Sequence, residues 1–427
     1  MNNFKPRVGY ACMNQDVYPN DYKTCRKDRI TEERLKEIIQ HNLAVLEQTI
    51  DYNIEHNNKM FRISSSLIPF GSSELNTLDW SHEFKERFER MRIKIRDNDI
   101  RVSVHPGQYT VINSKNPSVV NSSIEELHYH AKILDLLAID STSKMILHVG
   151  GIYDDKAAAI DRFVDVYNNM LDEGIKKYLV IENDDRLYTV ADVLEISARI
   201  SIPVVFDNLH HEVNISLENM RVQDMMKRVV STWKLQDGRP KAHYSQQALG
   251  KRSGAHSETI DLQRFALDYI QYYEHAQVDI MLEVKDKNRS FVKVDQLFNP
   301  SVSAIEREWA RYKYWIMARS QKTYNDLRTL FKDSKSIDLI NFYNVIDSLQ
   351  SEEYGTTGSR VNAFQHVWGY FKKTSSGSEK DKFMKLINDF ENGKKNHKEI
   401  YRYLYKLSDK YDTSYLIDSY FFDDIKL

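Results

Sequence analysis

The chain has 427 residues, which is long for one domain, and its 60 basic and 62 acidic residues give a net charge of −2. Hydrophobic residues make up 41% and charged residues 29%, as is typical of soluble globular proteins. The start, MNNFKPRVGY, lacks the apolar segment of a secretory signal, no run reaches the roughly 20 apolar residues of a membrane-spanning helix, and two cysteines are too few for a disulfide scaffold. We therefore expect a cytoplasmic protein without membrane association, whose charge leaves open whether it binds nucleic acid.

Short apolar runs alternate with longer amphipathic segments up to Leu282. The runs are rich in β-branched and aromatic residues, which is typical of strands buried on both faces. The predicted strands are Val8–Ala11, Met60–Ile63, Val102–Val104, Met145–Leu147, Tyr178–Ile181, Pro203–Phe206, Ala242–Tyr244 and Ile280–Leu282. The predicted helices are Thr31–Ile54, His82–Arg96, Ser122–Leu137, Ala157–Leu171, Val190–Ile200, Leu217–Val230 and Ser257–Tyr273. This alternation predicts an α/β fold, specifically a closed (β/α)8 TIM barrel.

The pattern changes after residue 300. Ala304–Phe331 forms one long helical pattern, and residues 335–427 are helical in character and lack strand-like runs. We expect a TIM-barrel domain over residues 1–300 and an appended all-α domain over residues 301–427, with the boundary near Asn299 and Pro300.

Metal-competent side chains follow six of the predicted strands. They are His105, His148, Glu182, Asp207, His243 and Glu283. Because the carboxyl ends of barrel strands converge on one face, we expect these side chains to form one site. Imidazole and carboxylate suit Zn²⁺, Mn²⁺ or Fe²⁺, and Glu182 could bridge two cations. The pattern indicates metal-dependent phosphoester hydrolysis, although sugar isomerases also place divalent metals on this fold.

Four motifs follow the same strands, and together they resemble the successive motifs of the UV damage endonuclease family. They are VHPGQY at 104–109, LHVGG at 147–151, IENDD at 181–185 and FDNLHH at 206–211, and 9–11, 61–66 and 241–243 extend the match. The resemblance covers roughly residues 5–290. It implies a metal-dependent endodeoxyribonuclease of DNA repair that nicks the backbone 5′ to UV photoproducts, with abasic sites as a further lesion class.

The resemblance also implies a cluster of two or three divalent metal ions, with Mn²⁺ expected and Mg²⁺ or Zn²⁺ as alternatives. The first metal would be held by His105, His148 and Glu182. The second would be held by Glu182, Asp207, His243 and Glu283, and the third by His210 and His256. Lys241 matches a lysine at the metal site, and beside cations it would be neutral or carboxylated. Glu182 and Lys241 are the implied catalytic residues.

Contacts to damaged double-stranded DNA are implied in the same way. Gln108 and Tyr109 occupy the place of a pair that probes the lesion, and an aromatic ring there could stack in the gap of a damaged pair. Tyr10 and Asn14 would face the lesion strand. Lys251-Arg252 fits either phosphate contact or a solvated loop. We expect a monomer without an organic cofactor.

The C-terminal segment resembles the YbgA-like helical domain of unknown function through 318–322 and 363–372. Its interleaved basic and aromatic residues fit either nucleic-acid contact or helix packing. Two alternatives remain for the whole chain. A divalent-metal sugar isomerase or epimerase would share the barrel, and a non-catalytic DNA-binding protein would leave the metal-competent residues unexplained.

Overall fold

A computed structural model describes residues 4–332, 337–351 and 355–426. Eight parallel strands close into a barrel in chain order. They are β1 Val8–Cys12, β2 Met60–Ile63, β3 Arg101–Val104, β4 Lys144–His148, β5 Leu179–Glu182, β6 Val204–Asp207, β7 Lys241–Tyr244 and β8 Asp279–Leu282. We call the face at the carboxyl ends of the strands the mouth and the opposite face the floor. The predicted TIM barrel is confirmed.

Helices connect the strands around the barrel. They are α1 Glu32–Glu55, α2 Trp80–Glu83, α3 Lys85–Asp97, α4 Pro117–Leu137, α5 Lys156–Asn169, α6 Glu173–Lys176, α7 Val190–Ile200, α8 Asn208–Val213, α9 Val222–Ser231, α10 Leu262–Asp268 and α11 Asn288–Phe298. The side chain of Thr31 caps α1 by accepting from the backbone N–H of Arg34 at 3.2 Å, as the sequence predicts. The predicted helix His82–Arg96 is divided into α2 and α3.

The strand register places the predicted ligands at the same level along the barrel axis. His148 of β4 pairs with Glu182 of β5, and Asp207 of β6 pairs with His243 of β7. Neighbouring strands are about 4.8 Å apart, so paired positions bring their side chains close together. The barrel therefore collects these four residues in one layer at the mouth.

Buried charged groups close the floor of the barrel. Arg101, the first residue of β3, donates from Nη1 to Oδ2 of Asp279 at 3.2 Å, and both side chains are almost fully buried. Lys144 donates from Nζ to Oδ1 of Asp237 at 2.7 Å. The guanidinium carbon of Arg101 lies 5.6 Å from the ring centre of Trp233, which packs on barrel side chains. These contacts tie together strands that are distant in sequence.

The chain divides into two compact units, residues 1–260 with 264–294 and residues 261–263 with 295–427. The domain limits 1–300 and 301–427 stay a prediction. In the described part of the chain, no helix combines the length and apolarity needed to cross a bilayer.

The second unit is helical throughout its described residues. Its helices are α12 Val302–Arg319, α13 Gln321–Lys332, α14 Leu339–Ser351, α15 Thr357–Trp368, α16 Gly377–Glu391, α17 His397–Lys410, α18 Ser414–Ile417 and α19 Asp423–Lys426. The prediction of one helix over Ala304–Phe331 is wrong, because Ser320 adopts an extended conformation between α12 and α13. The Ser320 hydroxyl accepts from the backbone N–H of Thr323 at 3.2 Å, so it starts a new helix.

Candidate metal centre

The six predicted strand-end ligands all lie at the mouth of the barrel. Glu182, Asp207, His243 and His148 belong to their strands, whereas His105 and Glu283 directly follow β3 and β8. Metal-competent His, Asp and Glu side chains thus lie at the carboxyl ends of the strands, where the barrel opens at the mouth. The structure therefore brings together every ligand that the strand-end pattern predicts.

Glu182 is the side chain that these groups share. It can hold a cation with three different sets of neighbours: His105 and His148, His243 and Glu283, or Asp207 and His210. Within each set the candidate ligand atoms lie within 4.8 Å of one another. Its Oε2 lies 3.3 Å from Nε2 of His105, and its Oε1 lies 2.6 Å from Nδ1 of His243. The two oxygens face different partners, which is the arrangement of a bridging carboxylate.

The remaining distances complete the cluster. His148 Nε2 lies 3.7 Å from Glu182 Oε2, and His243 Nδ1 lies 3.0 Å from Glu283 Oε1. His210 Nδ1 lies 3.9 Å from Glu182 Oε1. The resemblance assigns His210 to a third metal, and the structure places it in the same cluster.

The electrostatics of the cluster favour positive charge. Burial lowers the pKa of His243, but Glu182 and Glu283 raise it to about 9. His210 behaves alike, since Asp207 and Glu182 raise its pKa to about 9 against the effect of burial. Burial alone would raise the pKa of Glu182, yet the neighbouring histidines hold it well below its ordinary value. The carboxylates therefore create a strongly negative potential at the mouth.

Several buried atoms of the cluster lack a hydrogen-bond partner among the described residues. They are Oδ2 of Asp207, Nε2 of His243 and Nδ1 of His148. Buried polar atoms are nearly always satisfied, so these unpaired atoms on cluster residues indicate that the site takes up a further ligand. A set of imidazole nitrogens and carboxylate oxygens is a suitable donor set for a first-row divalent cation. The residues present fit a divalent metal.

Two residues that sequence reasoning did not assign support the ligands. Arg62, on β2, is almost fully buried and donates from Nη1 to Oε1 of Glu283. Asn183 exchanges two hydrogen bonds with Asp207, donating to its carbonyl at 3.1 Å and accepting from its N–H at 2.9 Å. The carbonyl oxygen of Asn183 also lies 2.8 Å from Nδ1 of His210. An arginine inside an apolar strand run is the sequence signal that could have identified Arg62.

His256 and Lys241 lie apart from the three ligand sets. His256 forms an antiparallel bridge with Gln247 in the loop after β7. Lys241 begins β7, two residues before His243, and its Nζ is buried without a hydrogen-bond partner among the described residues. Burial and the neighbouring Arg101 hold the pKa of Lys241 well below its ordinary value. The surroundings of Lys241 therefore favour the uncharged form of its amine.

Gln108 and Tyr109 lie on an exposed turn after β3. The backbone N–H of Thr110 donates to the carbonyl of Gly107 at 2.9 Å, which closes the turn around this pair. Tyr109 is 85% exposed, the full ring being available for stacking. The structure thus presents the predicted probing pair to solvent at the mouth.

Tyr10 and Asn14 are held inside the protein. Both are fully buried. The hydroxyl of Tyr10 donates to Oδ1 of Asn53 in α1 at 2.7 Å and accepts from Nδ2 of Asn14 at 2.7 Å. The alternation of side chains along β1 sends Tyr10 outward against the helices, where its ring lies 5.2 Å from that of Phe61. Neither side chain is exposed in this structure, and contact with the lesion strand stays a prediction.

Comparison with known proteins bears on the identity of this site. A family model described as UV-endonuclease UvdE matches residues 6–307. The chain belongs to the UV-endonuclease UvdE family. A second model, described as a protein of unknown function (DUF1722), matches residues 313–424. The resemblance of the barrel to the UV damage endonuclease family is confirmed, and the C-terminal helices form a DUF1722 domain.

Relatives of the UvdE family match over most of their length. The UV DNA damage endonuclease of Clostridium perfringens (strain 13 / Type A) is 35% identical over 393 residues, which cover 90% of this chain and 93% of that protein. The Putative UV-damage endonuclease of Acanthamoeba polyphaga mimivirus is 34% identical over 304 residues, 69% of this chain and 92% of that protein. The crystal structure of SacUVDE is 38% identical with a TM-score of 0.64, covering 69% of this chain and 98% of that one.

Proposed function

We propose that this UV-damage repair endonuclease nicks the DNA backbone on the 5′ side of UV photoproducts, leaving a 3′-hydroxyl and a 5′-phosphate. The observation that carries the proposal is the position of Glu182, which lies within reach of all three ligand sets at the mouth. Membership of the UvdE family supports the lesion class. Abasic sites are a further candidate substrate.

The residues at the mouth divide into ligand sets for two or three divalent cations, with Mn²⁺ as our proposed ion. We assign His105, His148 and Glu182 to one ion. We assign Glu182, Asp207, His243 and Glu283 to the second. We assign His210 and His256 to the third on the resemblance to the family, since His256 lies in the loop after β7 and outside the three ligand sets. When bound, cations held by these residues would activate water and neutralise charge on the phosphate. Arg62 holds Glu283, and Asn183 holds Asp207 and His210, so the ligands are oriented by the protein itself.

Gln108 and Tyr109 are our candidates for reading the lesion. Their exposed turn stands at the same face as the metal ligands, because it directly follows His105. A ring that stacks on an unpaired or distorted base discriminates without reading sequence. On this proposal the metal cluster carries out the hydrolysis, and the turn with Gln108 and Tyr109 selects the lesion.

Lys241 is our second candidate catalytic residue beside Glu182. Its amine is buried without a hydrogen-bond partner among the described residues, which suits a neutral or carboxylated side chain. Carboxylation would join the amine nitrogen to the carbon of carbon dioxide and release one proton. Intact mass measurement under native conditions tests the modification, since the adduct adds the mass of carbon dioxide. An unchanged mass contradicts carboxylation and leaves the neutral amine.

Incision of a defined duplex tests the proposed function. The protein is incubated with Mn²⁺ and a labelled duplex that contains one pyrimidine dimer, and the undamaged duplex is the control. We expect one nick immediately 5′ of the dimer and none in the control. No incision with Mn²⁺, Mg²⁺ or Zn²⁺ contradicts the proposal. Turnover of ketose sugars in the same buffers would instead support the isomerase alternative.

A further inference from the structure

The loop that follows β7, residues 245–258, presents a leucine at its tip. Leu249 is 99% exposed and occupies the turn that the N–H of Lys251 closes by donating to the carbonyl of Ala248 at 3.2 Å. Gly250 provides the positive φ of 68° that such a turn needs at its third position. We call residues 245–258 the Leu249 loop.

The Leu249 loop is held in place by contacts inside it. The Nε2 of Gln247 donates to the carbonyl of Arg252 at 2.9 Å, and Oε1 of Gln247 accepts from the N–H of Gly254 at 2.8 Å. The N–H of Ala248 donates to the carbonyl of Ala255 at 2.7 Å. These bonds fix the tip, so presenting Leu249 costs little conformational entropy on binding.

Contacts with two other mouth loops place the Leu249 loop beside the metal ligands. A Cβ at Gly254 would lie 2.8 Å from Oδ2 of Asp185, so the loop packs on the segment that follows Glu182. The N–H of Asp286 donates to the carbonyl of Glu258 at 2.9 Å, which joins the loop to the segment after Glu283. The loop therefore lies at the mouth, next to the segments that follow two of the metal ligands.

The barrel places Leu249 opposite Tyr109. Tyr109 follows β3 and Leu249 follows β7, and these strands are four positions apart in either direction around the closed barrel of eight. Both side chains are exposed at the mouth, and the ligands lie between the two loops. A duplex that lies over the cluster would meet Tyr109 on one side and Leu249 on the other.

Exposure alone does not distinguish Leu249, since Leu235 is also 99% exposed. Leu235 lies between α9 and β7, at the floor of the barrel, which is the face opposite the cluster. Leu249 differs in its position at the mouth and in its neighbours, because Lys251 and Arg252 follow it and are exposed. An apolar side chain complements the stacked bases of DNA, and the two basic side chains beside it complement the phosphates.

We propose that Leu249 is an apolar wedge that enters the damaged duplex opposite Tyr109, while Lys251 and Arg252 contact the flanking phosphates. The inference rests on the proposed function, because damaged duplex DNA is the ligand. Apolar side chains inserted between base steps unstack them and bend the helix. Insertion at two opposed points would bend the duplex over the mouth and bring the phosphate 5′ of the lesion to the cluster.

Fluorescence of 2-aminopurine tests the wedge. The base is placed at successive positions around a single pyrimidine dimer, and its fluorescence is followed by stopped flow after mixing with the Mn²⁺-loaded full chain. We expect Leu249→Ser to lose the unstacking signal at one position and to weaken binding of the damaged duplex about tenfold. Leu235→Ser is the matched control and should behave as wild type, and Leu249→Met should retain the signal. Equal behaviour of Leu249→Ser and Leu235→Ser would overturn the wedge.

Two further readouts separate the parts of the proposal. Replacing Lys251 and Arg252 by Gln should weaken binding of damaged and undamaged duplex alike and reduce the salt dependence of binding by about two units. An unchanged salt dependence would overturn the phosphate contacts. Incision by the wild-type protein tests the proposed function separately. If the wild type incises the duplex and Leu249→Ser still unstacks the base normally, the wedge alone is rejected. If the wild type does not incise the duplex, the proposed function is rejected.

Discussion

Nδ1 of His243 lies 2.6 Å from Oε1 of Glu182, and this contact links β7 to β5 across the intervening β6. The other oxygen of Glu182 faces His105, which directly follows β3. One carboxylate therefore meets ligands from both sides of the barrel mouth. Glu182 is therefore the carboxylate that the three ligand sets have in common.

Glu182→Gln should abolish incision while binding of damaged DNA is largely kept, because the amide preserves shape but loses the charge that two cations would share. We expect the rate to fall by more than about 100-fold, the upper range for residues that only support metal ligands. Single-turnover incision, metal content by mass spectrometry and fluorescence anisotropy with damaged DNA measure the three properties. Glu195→Gln, at an exposed position on α7 outside the mouth, is the control. Full activity of Glu182→Gln would reject the bridging role.

Removal of divalent metal should lower both activity and thermal stability. A cation that binds only the folded chain stabilises it by about 2.7 kcal/mol at 100 times its dissociation constant. We expect the melting temperature to rise with Mn²⁺ concentration in wild type and to rise less in Asp207→Asn, whose Oδ2 is one of the unpaired buried atoms. Differential scanning calorimetry after chelation measures the effect. Equal stabilisation of both proteins would place the bound ions elsewhere.

Tyr109→Ala should weaken discrimination between damaged and undamaged duplex, because a ring that is 85% exposed can stack on a displaced base. Base stacking on an aromatic ring contributes about 1–3 kcal/mol, so we expect about tenfold weaker binding of the damaged duplex. Tyr109→Phe retains the ring and should bind as wild type. Competition binding with both duplexes tests this, and equal loss in Tyr109→Phe would show that the hydroxyl matters instead.

Asp279→Asn should destabilise the barrel by roughly 3–5 kcal/mol, because it leaves the buried guanidinium of Arg101 without its opposing charge. The measurement is the free energy of unfolding from urea titration in the presence of Mn²⁺. Asp28→Asn is the matched control, since Asp28 pairs with Arg26 at an exposed site where such pairs contribute about 0–1 kcal/mol. A similar loss in both variants would reject the stabilising role of the floor.

Glu379 should make the C-terminal helices sensitive to acid. Hydrogen bonds from Lys410, the N–H of Ser376 and Tyr411 lower the pKa of this carboxyl to about 2. A carboxyl with a lowered folded pKa contributes stability above its unfolded pKa of about 4.3, and the contribution disappears as pH falls through about 2. The melting temperatures of wild type and Glu379→Gln should therefore differ at pH 6 and converge near pH 2. Glu391→Gln, at the other end of α16, controls for the change in net charge.

The strand-end ligands could be predicted because each stands out as His, Asp or Glu directly after an apolar run. The direction of Tyr10 could not, because a strand buried on both faces shows no polar alternation that would tell inward from outward positions. The break at Ser320 was hidden for a related reason: the helical periodicity continues on both sides of it, and only the local capping bond separates α12 from α13.

The positions of residues in the loops could not be predicted from the sequence either. His256 and the tip at Leu249 depend on the hydrogen bonds of Gln247 within one loop and on packing against Asp185 of another. Sequence spacing carries no information about such contacts between loops. Arg62 was visible as a charge inside an apolar strand, but its partner Glu283 comes from the far end of the barrel chain and only closure of the barrel brings them together.

The hydrogen-bonded side chains of Arg101, Lys144 and Asp237 fill the floor of the barrel and leave the mouth as its open face. We expect ions and water to enter and leave by the mouth, and a duplex bound over the mouth would cover that route. Exchange of bound metal should therefore slow sharply in the complex with DNA, and ions loaded beforehand would stay in place until the nicked strand leaves.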